Sequence, residues 1–183
     1  MSGSTLIEAI QALTAQLAAF AALLLIASAV HKVMKWPSSL DVVQRFAGVP
    51  ASLAAPTLAG ATFSELAAGV LSVIPAYRTT GAMLAALIWV LYLALILRAI
   101  AQGRRDVDCG CGFGSTQRSL GPFHVARNAA LLGFAVLVAL GSAMGGSVPV
   151  QGSQALAACA LLVLYAALDQ AMALQPLRGG AVL

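Results

Sequence analysis

Residues 81–100 read Gly81-Ala-Met-Leu-Ala-Ala-Leu-Ile-Trp89-Val-Leu-Tyr92-Leu-Ala-Leu-Ile-Leu-Arg98-Ala-Ile100, with one charge and no proline. A helix needs about 20 predominantly apolar residues to cross the hydrocarbon core of a bilayer. This stretch meets that length, and Arg98 stands near its end, where a long side chain can snorkel to the interface. The stretch therefore decides for a membrane span. The rest of the chain repeats the pattern: 61% of its 183 residues are hydrophobic and 9% are charged, and the mean hydropathy is +0.94. A soluble domain carries about 25% charged residues. The fold expected is an all-α integral membrane protein, one compact bundle of about five transmembrane helices. The spans are placed at 13–34, 51–75, 80–101, 122–141 and 154–174. No soluble domain, internal repeat or low-complexity tract is left over, and the net charge of +4 bears on topology, not on nucleic acid.

Outward from residue 100 the character changes. Residues 103–121 hold Asp106-Val107-Asp108-Cys109-Gly110-Cys111-Gly112-Phe113-Gly114, a poor helix and a poor strand. Two thiols one residue apart suit thiol–disulfide exchange, whose rate depends on thiolate fraction, nucleophilicity and access. A disulfide across Cys-Gly-Cys closes a very small ring, and such strain makes a disulfide labile instead of structural. Cys109 and Cys111 are read as a reversible dithiol/disulfide. The alternative is half of a metal site completed by His31 or His124, since thiolate and imidazole suit zinc or copper. Cys159, near the start of the last span, is read as a small packing residue.

The first run ends at His31-Lys32 and is followed by Trp36-Pro37; residues 38–50 are expected to be a polar connection. Ala27-Ser28-Ala29 resembles a signal-peptidase site, but no Lys or Arg precedes the run, and Lys32 and Lys35 follow it. The run is taken as a retained helix. Parity then puts His31, Lys32, Cys109, Cys111, His124, Arg127 and Asn128 at one membrane face. Glu65, the acidic residue deep in span two, lies nine residues past Pro56, about 13 Å from that face at 1.5 Å per residue. An ionisable group there is a functional candidate by default. Its structural role is an ion pair with Arg127 or a hydrogen bond to His31. Arg104, Arg105 and Arg127 are placed to depress a thiol pKa, and His31 to carry protons. Trp89 and Tyr92 are assigned to bundle or lipid contact. The short connections on the cysteine side hold Lys32, Lys35, Arg45, Arg98, Arg104, Arg105, Arg118 and Arg127, against Arg78 opposite. Positive-inside counting puts the N-terminus outside and the cysteine loop in the cytoplasm.

From span one to the start of span four the sequence resembles the MauE methylamine-utilisation family, relatives of the DoxX-like membrane proteins. The resemblance is carried by Ser28-Ala29-Val30-His31-Lys32, by Glu65 followed by Gly69, by Gly103-Arg104-Arg105-Asp106-Val107-Asp108-Cys109-Gly110-Cys111, and by Arg127-Asn128. The glycine between Cys111 and Phe113 departs from the family pattern. The resemblance implies a multi-pass protein of the bacterial inner membrane that matures a periplasmic enzyme. The implied substrate is the disulfide-rich light subunit of methylamine dehydrogenase, and the implied partner is a membrane-anchored, thioredoxin-like, MauD-like protein. Site residues on this view are Cys109, Cys111, Glu65, His31 and Arg127, with the Cys109–Cys111 disulfide as redox centre and room for a quinone as cofactor. A periplasmic substrate sits uneasily with a cytoplasmic loop, and the charge rule is followed here. Two other roles stay open: a non-catalytic scaffold for the partner, and a small metal or solute carrier.

Overall fold

The computed structural model describes residues 3–104 and 121–174. Cys109 and Cys111, with the rest of residues 105–120, lie outside them. Six α-helices follow in order: α1 (Gly3–Met34), α2 (Trp36–Ala47), α3 (Ala51–Val73), α4 (Arg78–Ala101), α5 (Pro122–Gly145) and α6 (Gly152–Leu174). Four of them, α1, α4, α5 and α6, are each long and apolar enough to cross a membrane, and the bent pair of α2 and α3 makes a fifth where it is counted as one span. The chain is an all-α, multi-pass membrane protein.

The helix α1 is the axis of the bundle. It packs against α3, α5 and α6, while α4 closes the other side by packing against α3 and α5. Phe20 of α1 sits at the centre, edge-on to Phe134 of α5 at 6.4 Å and to Tyr165 of α6 at 6.2 Å between ring centroids. Leu24, Leu25, Ala85, Trp89 and Leu131 pack around it. Trp89 is thus a bundle residue. Edge-to-face rings of this kind add about 0.5–1.5 kcal/mol beyond the area they bury.

Two close approaches set how the helices register. A Cβ on Gly69 of α3 would stand 2.9 Å from Ile26 Cγ1 and 3.2 Å from the Ala22 carbonyl oxygen of α1. Only glycine lets the two backbones come so near, as small residues do generally at membrane helix contacts. At the α3–α4 turn, a single 3₁₀ turn at Pro75–Tyr77 is so tight that a Cβ on Gly81 would collide with the backbone of Leu71 and Ser72. The fully buried Arg78 donates from Nε to the Ser72 carbonyl, 3.1 Å away. Arg78 is therefore part of the packed turn and not a surface charge.

The stretch 38–50, expected as a polar connection, is mostly helix. Pro37 suits the first turn of α2, where its missing N–H has no helical acceptor to serve. Gly48, at φ +70°, ends the helix in the left-handed conformation. One face of α2 is polar (Ser38, Asp41, Arg45), and Phe46 on the other is buried with Ile96 and Ala99 of α4. The helix is bent by 106° from α3. Too short and polar to register as a span, it is amphipathic and lies across the cysteine end of the bundle. Helix α1 also begins earlier than residue 13, and α3 runs through Pro56 from Ala51. Glu65 is therefore fourteen residues into α3, about 21 Å from its start.

Candidate functional site

Glu65 of α3 is fully buried, and two other helices, α1 and α4, supply its partners. Lys32 Nζ of α1 lies 2.7 Å from Oε1 and 2.8 Å from Oε2. Tyr92 of α4 donates its hydroxyl to Oε1 at 2.6 Å, and Ser28 of α1 donates to the same oxygen at 3.3 Å. The third ammonium hydrogen goes to Ser28 Oγ at 2.8 Å, so the three donors of Lys32 meet three acceptors. The ammonium also stands 5.5 Å from the centroid of the Tyr92 ring, within cation–π range.

The sequence builds this cluster locally. Ser28 and Lys32 are four apart and share a face of α1; Glu65 and Gly69 do the same on α3. The missing side chain at Gly69 draws α3 onto α1, and one turn away Glu65 reaches Lys32. The side chains of Lys32 and Glu65 are only 12% and 1% exposed. A charge held at this depth is costly unless it is paired and hydrogen-bonded, and here it is both.

A second ion pair joins α5 to α6. Arg127 donates from a terminal nitrogen to Asp169 Oδ1 at 2.6 Å, with side-chain exposures of 6% and 12%. The guanidinium lies 6.0 Å from the Tyr165 ring. Asn128, also buried, donates to the His124 carbonyl at 3.1 Å. His124 Nδ1 accepts from the Gly121 N–H at 3.3 Å, which satisfies a backbone donor at the start of α5. On the other flank of the cysteine segment, Arg104 donates to the carbonyls of Arg45 and Phe46 at 3.0 and 3.3 Å. The exposed end of α2 is thereby fastened to the end of α4. The described chain stops at Arg104 and resumes at Gly121, beside these anchors.

Several expectations change. The partner of Glu65 is Lys32, not Arg127 or His31. Arg127 is committed to Asp169, so the structure does not bring Glu65 and Arg127 into one pair. His31 is partly buried and lines a cavity beneath α2 together with Lys32, Tyr92 and Arg98. Tyr92, assigned to general contact, is a direct hydrogen-bond donor to the buried carboxylate. Cys159 is exposed on α6 instead of packed inside. The signal that could have revealed Lys32 was present: Ser28-x-x-x-Lys32 puts a hydroxyl and a cation on one face of an apolar helix. Cys109 and Cys111 fall outside the described residues, and their placement is not described.

Residues 10–141 match the model of the family described as methylamine utilisation protein MauE. The chain is also 34% identical over 121 residues to the methylamine utilization protein MauE of Methylophilus methylotrophus. That match covers 66% of this chain and 64% of the relative, so the chain spans somewhat less than two thirds of the protein it resembles. No solved structure matches significantly. The residues matched by the family model include both members of the Lys32–Glu65 pair, Tyr92, the two thiols and Arg127, but not Asp169.

Proposed function

The chain belongs to the methylamine utilisation protein MauE family, and from that premise we propose that it is a membrane thiol–disulfide maturation factor. It works with a thioredoxin-like, MauD-like partner in the inner membrane and serves disulfide formation in a periplasmic enzyme such as the methylamine dehydrogenase light subunit. The observation that carries the proposal is Cys109-Gly110-Cys111, set between α4 and α5 and flanked by the anchored Arg104 and the paired Arg127. In the exchange, one thiolate attacks a disulfide sulfur of the partner and forms a mixed disulfide. The neighbouring thiol loses its proton and displaces the partner's thiolate. The chain is left with a Cys109–Cys111 disulfide and the partner with two thiols, so two electrons and two protons have moved. The opposite direction, in which a partner thiolate attacks the Cys109–Cys111 disulfide and the partner leaves oxidised while the chain is left with two thiols, runs through the same intermediate and is the one that serves disulfide formation.

Within this scheme Glu65 and Arg127 act through helix position, since both are engaged in ion pairs. His31, at the cavity wall on the cysteine side, is placed to carry a proton. The charge rule puts the loop in the cytoplasm, and the pairing of Lys32 with Glu65 and of Arg127 with Asp169 neutralises two of the charges behind that assignment. Cells expressing Cys109→Ser or Cys111→Ser, quenched in acid and run on non-reducing gels, test the proposal. A thiol-dependent adduct to a thioredoxin-like protein from one variant is the expected result. Both variants supporting full maturation without an adduct would refute the exchange and leave a scaffold.

A further inference from the structure

A cavity of about 570 Å³ lies between α2 and the facing parts of α1, α3 and α4. Its size falls within the range of about 300–1,000 Å³ typical of ligand and cofactor sites. Along α4 it runs from Leu91 to Arg98, about 10 Å at 1.5 Å per residue. Val42, Phe46, Leu58 and Leu95 give it apolar walls. Its polar groups are unevenly placed. Arg98, exposed, stands toward the end of α4, while Lys32 and Tyr92 form part of the wall further in.

That inner wall carries dipoles but little net charge, because the Lys32 ammonium is cancelled by the carboxylate of Glu65 at 2.7 Å. An anionic headgroup brought there would shed its hydration and gain no free counter-charge, since the Lys32 ammonium is already neutralised by Glu65 behind it; a phosphate is better served at Arg98, outside the deep part. An uncharged head with carbonyl or hydroxyl oxygens meets neither cost. His31, Phe46 and Tyr92 add aromatic rings to the lining, and rings favour a flat conjugated partner. The cavity is walled by α1 and α4, both long and apolar enough to cross a membrane, beneath the amphipathic α2, so an apolar occupant has a route to it from the bilayer.

We propose that this cavity is a binding site for an isoprenoid quinone: the ring lies among His31, Phe46 and Tyr92, and the prenyl tail follows the apolar walls. The assignment concerns binding and is independent of thiol exchange at Cys109 and Cys111.

The test uses the full-length protein in phosphatidylcholine nanodiscs and a photoreactive azido-quinone, with labelled peptides mapped by mass spectrometry. Labelling is expected in residues 38–47, 57–61 and 91–98, and excess decylubiquinone is expected to suppress it at least tenfold. Ala61→Phe and Ala94→Leu put bulk into the cavity and should each lower labelling by a similar factor; Ala94→Leu is the reading if Ala61→Phe does not yield folded protein. Leu156→Phe, on the 74% exposed face of α6, should change nothing. The proposal is overturned if phosphatidylglycerol or oleate displaces the label while decylubiquinone does not, which would make the cavity a site for acyl lipids. It is equally overturned if labelling scatters over α6 or survives both cavity-filling variants.

Discussion

Replacing Lys32 with Met keeps the length and apolar stem of the side chain and removes its charge. The structure fixes what is lost: hydrogen bonds of 2.7 and 2.8 Å to the Glu65 carboxylate and 2.8 Å to Ser28. Glu65, with no exposed surface, is left with donors from Tyr92 and Ser28 but without its counter-charge. Removing one partner of a buried pair typically costs about 3–5 kcal/mol, whereas replacing both with apolar groups of similar volume is often neutral or better. In a chain of this size 1 kcal/mol moves a melting temperature by about 2–4 °C on soluble-protein scaling, so Lys32→Met should melt about 10 °C lower. Glu65→Leu added to Lys32→Met should recover most of the loss. Thermal unfolding of the four proteins of this double-mutant cycle, followed by gel filtration in detergent, gives the coupling directly. A shift under 2 °C for Lys32→Met, or simple additivity of the two changes, would refute the claim that this pair holds α1 to α3.

Gly69→Val places a branched side chain where a Cβ already meets Ile26 and the Ala22 carbonyl. It should cost about 1–3 kcal/mol as overpacking and separate Glu65 from Lys32, seen as a lower melting temperature and greater proteolysis between α2 and α3. Arg127→Leu should destabilise by about 3–5 kcal/mol through an unpaired Asp169, with Arg127→Leu/Asp169→Leu close to the parent in the same melting assay. Phe46→Ala should cost about 3–5 kcal/mol if α2 is seated on Ile96 and Ala99 as a core element; a cost below 1 kcal/mol in thermal unfolding would mean that α2 rides loosely on the bundle.

That the chain is an all-α bundle with several membrane spans was legible before any coordinates. A span is a local property, because a run of apolar residues long enough to cross a bilayer must satisfy its backbone internally as a helix. Parity followed, and with it the placement of Lys32, His124 and Arg127 at the end that the cysteine segment enters and leaves. Glu65 was legible as a costly buried group, and the family could be read from short strings such as Ser28–Lys32 and Arg104-Arg105…Cys109-Gly110-Cys111. Helix α2 was less legible, since twelve mixed residues satisfy neither the length of a span nor the polarity of a loop. Its amphipathic face means something only once α4 offers Ile96 and Ala99 beneath it.

What the tertiary structure alone decided is pairing. Lys32 and Arg127 were equivalent partners for Glu65 by composition and by membrane face. The choice depends on the rotation and closeness of α1 against α3, which Gly69 sets through contacts with residues more than forty positions away. Arg127 found Asp169 because α5 and α6 both pack on α1, which leaves the two long side chains to bridge between them. The cavity beneath α2 also belongs to no single segment: it is the space left when a helix bent by 106° cannot lie flush on its neighbours. Sequence periodicity states which face of each helix is apolar. Which faces meet, and what room remains between them, is fixed by side-chain volumes acting across the whole bundle.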